Sequence, residues 1–160
     1  MTYLRTSRLH TGMDGVRVLV EAQAGSSVRL VYDEATLEVL TSRRLPAAYP
    51  FNYGFIIGTL ADDGEAVDCY VITTDPIRAG SQVEVQPVGL LEQFEDGELD
   101  HKILAVPAGA PLGLGPGVQA RLERFIRHVF ESYPAVSVEL GRLLGPDEAE
   151  AYVTSHRVSP

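Results

Sequence analysis

The sequence predicts a mainly β, α+β domain in which a twisted antiparallel sheet or barrel is followed by a helical C-terminal third. Three observations carry that expectation. Up to residue 107, short runs rich in Val, Leu, Ile and Tyr are separated by turn residues such as Asp-Gly. Beyond residue 117 the apolar spacing becomes that of one helix face. A length of 160 residues, 45% hydrophobic and 22% charged, suits one domain over 1–160 with a real core.

The elements follow in order. Residues 1–15 are polar and read as a lead-in. Val16 to Glu21 (VRVLVE) reads as a strand, and Val28 to Tyr32 (VRLVY) as a second after the small-residue turn AGSS. Leu37 to Leu40 is a candidate third. Arg43 to Gly54 carries Pro46, Pro50 and Gly54 and reads as ordered but non-repetitive. Phe55 to Leu60 and Val67 to Thr73 flank the turn Asp62-Asp63-Gly64. Ser81 to Leu91 reads as a strand whose Pro87 implies an edge or a bulge. Asp96-Gly97 is a hairpin turn leading to a strand from Lys102 to Val106. After the small-residue stretch 108–117, apolar residues at Val118, Leu122, Phe125, Ile126, Val129, Phe130 and Tyr133 mark one helix face, stopped by Pro134. A shorter helix is expected from Pro146 to about Thr154, with Pro in the first turn and Asp147, Glu148 and Glu150 near its favourable end.

Charge narrows the function classes. With 22 acidic residues against 13 Lys plus Arg, the formal net charge is −9, which repels nucleic-acid backbones and anionic membranes. Neither is an expected partner. An anionic substrate is still compatible, because carboxylates hold divalent cations and those cations hold phosphate. Cys69 is the single cysteine, so no disulfide framework or thiolate zinc site is available, and its apolar setting reads as core. No window is long enough to span a membrane and no signal pattern opens the chain, so a cytoplasmic location is expected.

The acids cluster at turns. Asp63, Glu65 and Asp68 fall in ADDGEAVDCYV, and Glu95, Asp96, Glu98 and Asp100 in FEDGELDHK. Asp68 lies just inside an apolar strand, where an ionised carboxylate is costly unless it is paired or holds a cation. Two acidic turns on one sheet can converge on hard cations, which prefer oxygen ligands. Arg29, Arg43 or Arg44, Lys102 and the phenols of Tyr49, Tyr53 and Tyr133 are then candidates to clamp phosphate oxygens. The residues alone also admit a plainer reading: acids flank Gly in hairpin turns for turn reasons, and paired arginines are often solvated. His101 and His128 have no partner at ligand spacing, and the loop 108–117 lacks the Gly-Lys-Ser/Thr of a P-loop.

The same residues carry a resemblance. YPFNYGFIIGTLADDGEAVDCYV (Tyr49 to Val71), followed by PVGLLEQFEDGELDHKILAVP (Pro87 to Pro107), resembles the soluble family I inorganic pyrophosphatases. The resemblance spans about residues 16–107, with a looser match over 118–133. It implies a five-stranded OB-like β-barrel with helices packed outside. By position, Asp63, Asp68 and Asp100 match carboxylates that bind catalytic magnesium around an activated water, and Glu65 matches the general base. Glu95 matches an aspartate holding further Mg2+, and Glu21 an active-site glutamate that the resemblance adds to the metal set. Arg29 falls on a lysine position, Arg43 or Arg44 on a phosphate-binding arginine, and Tyr53, Lys102 and Tyr133 on phosphate-contacting residues. The implied reaction is hydrolysis of pyrophosphate to two phosphates by in-line attack of a metal-activated water, in a homo-oligomer.

The departures are as specific as the match. Glu65 and Glu95 stand for aspartates, Val31 for a glutamate, Ala66 for a signature proline and Pro134 for a lysine; the connection after Pro107 is also shortened. An active but divergent pyrophosphatase is the favoured reading. The alternatives are a hydrolase of another phosphate compound and a catalytically weak binding or structural paralogue.

Overall fold

The computed structural model describes residues 15–158. The expected lead-in therefore lies, apart from Gly15, outside the described residues. The strands are β1 (Arg17–Ala22), β2 (Val28–Tyr32), β3 (Val39–Arg44), β4 (Asn52–Ile56), β5 (Asp68–Val71), β6 (Gln82–Glu95), β7 (Glu98–Leu99), β8 (Lys102–Pro107) and β9 (Val138–Leu144). The helices are α1 (Val118–Glu131) and α2 (Pro146–Ser155). No helix among the described residues is long and apolar enough to cross a membrane.

The expected five-stranded OB-like barrel is corrected here. The principal sheet is a seven-stranded mixed sheet, ordered β1-β4-β5-β8-β6-β7 with β9 on β6, and not a closed barrel; β2 and β3 form a separate two-stranded sheet. The strands beyond five come from β6, which at 14 residues is more than twice a typical strand. Its first residues pair with β1, its middle with β8, and its far end carries β7 and β9. The sheet is not wholly antiparallel either, because β5 and β8 run parallel. That register sets Asp68 beside Lys102.

The C-terminal third is not purely helical, since β9 joins β6 between the two helices. The strand expected at 37–40 instead starts at Val39, because Leu37 takes a left-handed φ of 63° in the preceding turn. Pro87 sits at a bulge on a strand paired on both sides, as one of its two expected alternatives required.

Side-chain alternation explains the layering. Along β5 and β8, Cys69, Val71, Ile103 and Ala105 enter one core cluster with Ala149 and Val153 of α2. Tyr70 and Leu104, between them, enter a second cluster with Leu122, Phe125 and Ile126 of α1. These strands are thus buried on both faces and read as continuous apolar runs. Gly54 is required where β4 crosses β1, since a Cβ there would lie 1.9 Å from the Leu19 carbonyl oxygen.

Candidate active site

A pocket of about 400 Å³ opens beside α1, where the ends of β5, β6 and β8 meet the β2–β3 hairpin. Its aromatic wall is cooperative. Tyr49 stacks on Tyr53 with ring centroids 5.2 Å apart, and Tyr53 packs against Tyr70 at 4.9 Å. Burial pushes the Tyr49 phenol up to about 12, and burial followed by the Asp68 charge pushes Tyr53 well above the usual value. Both are neutral hydroxyl groups at ordinary pH.

The turns deliver the charges. Asp63 and Glu65 come from the loop between β4 and β5, where the Glu65 N–H donates to Asp63 Oδ1 at 2.9 Å. Asp68 opens β5, Glu95 closes β6, Asp100 lies two residues before β8 and Lys102 opens it; all line the pocket. Asp96 and Gly97, with φ of 52° and 82°, turn β6 into β7, as a primed hairpin turn requires. Arg29 and Arg43 are direct cross-strand partners and both line the pocket. Arg44, one residue on, pairs with Val28 and is not part of the lining. The alternation of the strand thus selects Arg43 over Arg44.

Lys102, 6% exposed, organises the acids: its Nζ donates to Asp68 Oδ2 at 2.6 Å and Asp100 Oδ2 at 3.1 Å. Burial opposes its charge, but Asp68, Tyr53 and Asp100 outweigh it and hold the ammonium well above its usual range. Asp100 is raised, by burial first and then by hydrogen bonding with Glu95, against the pull of Lys102. Glu21 lies behind the pocket wall, 4% exposed, and reaches it through Arg29, whose Nη2 is 3.7 Å from Glu21 Oε2. Burial raises Glu21 to about 7 despite Arg29. The Arg29 guanidinium lies 5.6 Å from the Tyr53 ring centre, and its buried Nε finds no hydrogen-bond partner among the described residues. Tyr133 stands exposed at the rim.

Among the described residues, no three His, Cys, Asp or Glu side chains already stand in metal-holding geometry; the Lys102 ammonium bridges Asp68 and Asp100 instead. The donor chemistry nevertheless fits a hard cation. Five carboxylates, Asp63, Glu65, Asp68, Glu95 and Asp100, share one pocket, and oxygen ligands are what magnesium takes. Buried Gln93 Oε1, on the same wall, is an acceptor without a donor among the described residues.

Comparison with known proteins settles the lineage. The family model described as inorganic pyrophosphatase matches residues 18–157. The chain belongs to the inorganic pyrophosphatase family. The inorganic pyrophosphatase of Nanoarchaeum equitans is 34% identical over 150 residues, covering 86% of this chain and 92% of that protein. A solved inorganic pyrophosphatase from Thermus thermophilus superposes with a TM-score of 0.79 at 28% identity, over 88% of this chain and 87% of that one. One from Ehrlichia chaffeensis gives 0.71 at 30% identity, over 91% and 97%.

Within this pyrophosphatase-family site, two residues were missed from the sequence. The Ala66 N–H, which a proline would lack, donates to Glu34 Oε1 at 2.9 Å, so an acid of the β2–β3 turn reaches across to the 63–68 segment. Burial and the charges of Glu65, Asp68 and Asp63 raise Glu34, against that hydrogen bond. Gln93 is the other. Its signal is burial without a partner, which no sequence pattern carries. Val31 and Pro134 are not part of the lining. Cys69 is fully buried with its thiol pushed up by burial, and His128 pairs with Glu131 on the helix surface.

Proposed function

We propose that this protein hydrolyses inorganic pyrophosphate to two phosphates in a magnesium-dependent reaction. The supporting observation is one pocket that combines five carboxylates with Arg29, Arg43 and Lys102. Cation-holding and phosphate-holding groups are both needed for a magnesium–pyrophosphate substrate, and neither class alone suffices.

Asp63, Asp68, Asp100 and Glu95 are the residues to hold Mg2+, with Glu21 behind them through Arg29. Bound magnesium supplies Lewis-acid charge neutralisation and a lowered pKa for the attacking water. Glu65 takes that water's proton as its oxygen attacks one phosphorus in line, and the bridging P–O bond breaks toward the second phosphate. Arg29 and Arg43 bind phosphate oxygens, with the unpartnered Arg29 Nε as a ready donor. Tyr53, its phenol held neutral by burial, and Tyr133 at the rim donate to phosphate oxygens. Lys102, which bonds Asp68 and Asp100, would be free to turn its ammonium to phosphate if those carboxylates held a divalent cation. The extra methylene in Glu65 and Glu95 shifts each carboxylate relative to aspartate, which makes turnover the property most sensitive to these departures.

A single domain acting as a cytoplasmic homo-oligomer completes this reading, on the strength of the family likeness. The test is phosphate release from pyrophosphate with magnesium titrated from none to excess, alongside phosphomonoester and nucleotide controls. Selective, magnesium-dependent release is expected. No release from a folded sample rejects the proposal.

A further inference from the structure

Gln93 stands out among the described residues. It is 2% exposed on β6, opposite Leu140 of β9, and it lines the acidic pocket. Its backbone is fully engaged: the N–H donates to His101 Nδ1 at 3.0 Å, and the carbonyl accepts from the Asp100 N–H at 2.9 Å. Its side-chain Nε2 donates to Glu95 Oε2 at 3.2 Å. Oε1 alone has no partner among the described residues.

The orientation of the amide is not arbitrary. Reversing it would set Oε1 against a Glu95 carboxylate oxygen, two acceptors face to face, and leave a donor unmet instead. Glu95 therefore fixes the unmet atom as the oxygen. A buried acceptor without a donor is unfavourable, so a fold that keeps one gains from it elsewhere. An ionised phosphate oxygen is itself an acceptor and cannot satisfy it. A hydrated cation or a phosphate hydroxyl can. Glu95 and Asp100, which adjoin Gln93, repel the second and attract the first.

We propose that Gln93 is a binding residue for a hydrated divalent cation: Oε1 accepts from its hydration shell, and Nε2 holds Glu95 turned toward it. Magnesium suits this role because it retains several waters when bound. The inference rests on the proposed function and adds a residue to its cation site.

The experiment uses the full chain with Gln93→Met, which keeps the volume and removes the polar atoms, and Gln93→Glu. Melting temperature is read in chelator, and Mg2+ and inorganic phosphate are titrated separately by calorimetry without pyrophosphate. For Gln93→Met, an unchanged or higher metal-free melting temperature is expected, with Mg2+ bound about tenfold more weakly, equal to about 1.4 kcal/mol. Gln93→Glu adds a like charge beside Glu95, so its metal-free form should melt lower and bind Mg2+ more tightly than the parent. Phosphate affinity should not move in Gln93→Met.

Mg2+ affinities within about twofold of the parent overturn the proposal; a simultaneous drop in melting temperature would make Gln93 a packing residue. Weakened phosphate binding with unchanged Mg2+ binding overturns it in favour of the phosphate hydroxyl. If Gln93→Met does not fold, Gln93→Glu decides alone, by whether its Mg2+ affinity rises. A parent that binds Mg2+ but leaves pyrophosphate intact refutes the proposed function and not this cation site.

Discussion

Glu21 ties the stability of the metal-free protein to pH. Its carboxyl is buried and held at about 7 rather than 4.5. Between those values the folded protein keeps a proton that the unfolded chain has released. Stability therefore falls as pH rises through this window and levels off above about 7. At about 1.4 kcal/mol per tenfold, the full excursion is worth about 3 kcal/mol. Glu21→Gln keeps a neutral side chain of the same shape at every pH and removes this slope. Arg29, 3.7 Å away, loses a counter-charge in the variant, but only where Glu21 would have been ionised. Urea unfolding in chelator, repeated from pH 4.5 to 8, should show the variant gaining on the parent as pH rises, by about 3 kcal/mol at the top. Magnesium reverses the preference, because a cation favours the ionised carboxylate. At pH 6, Mg2+ binding should release more protons from the parent than from Glu21→Gln. Parallel pH profiles, or a gap that opens toward acid, would refute the burial argument.

Three further changes have definite outcomes. Asp68→Ala should bring phosphate release from pyrophosphate to background and lower stability by about 3 kcal/mol, because buried Lys102 loses its 2.6 Å partner and keeps only Asp100; near-full activity would end the assignment of Asp68 as a metal ligand. Gly54→Ala should cost about 3 kcal/mol or more, read as a fall in urea midpoint, since the new methyl meets the Leu19 carbonyl at 1.9 Å. Glu34→Ala should slow turnover up to about tenfold and speed hydrogen exchange at the Ala66 amide, while Glu34→Gln, which keeps the acceptor, restores most of the rate; equal rates in all three proteins would confine Glu34 to the surface.

The acids and bases of the site were legible because they sit in local patterns: two acidic turns, each entering an apolar strand. What brings them together was not. Asp68 meets Lys102 through a parallel pairing of β5 with β8, and the partner of a strand 34 residues away leaves no mark on either segment. β9 escaped for a different reason. VELGRLL carries a glycine and an arginine and has no fully buried residue, so its strand form depends on β6 and on Arg142, which donates to Glu92 at 2.9 and 3.0 Å. The barrel expectation failed on length, because nothing in SQVEVQPVGLL announces that β6 continues to Glu95 and recruits extra partners. Arg43 and Arg44 were indistinguishable until the strand assigned them opposite faces. Glu34 looked like any turn acid. Gln93, between a glutamate and a phenylalanine in LLEQF, gave no sign of burial.

Two buried polar atoms of the pocket lack a partner among the described residues, and they limit what can fill it. Arg29 Nε is a buried donor and Gln93 Oε1 a buried acceptor. Phosphate alone satisfies the first and leaves the second, flanked by Glu95, more exposed to repulsion. A cation alone satisfies the second and leaves the arginine with Glu21 as its nearby carboxylate. A ligand carrying both signs, phosphate oxygens at one end and a hydrated divalent cation at the other, satisfies both at once. Burial raises both Glu21 and Asp100, and a divalent cation held beside them would favour their ionised forms. On this account, cation and pyrophosphate bind with positive coupling, each lowering the desolvation cost that the other meets.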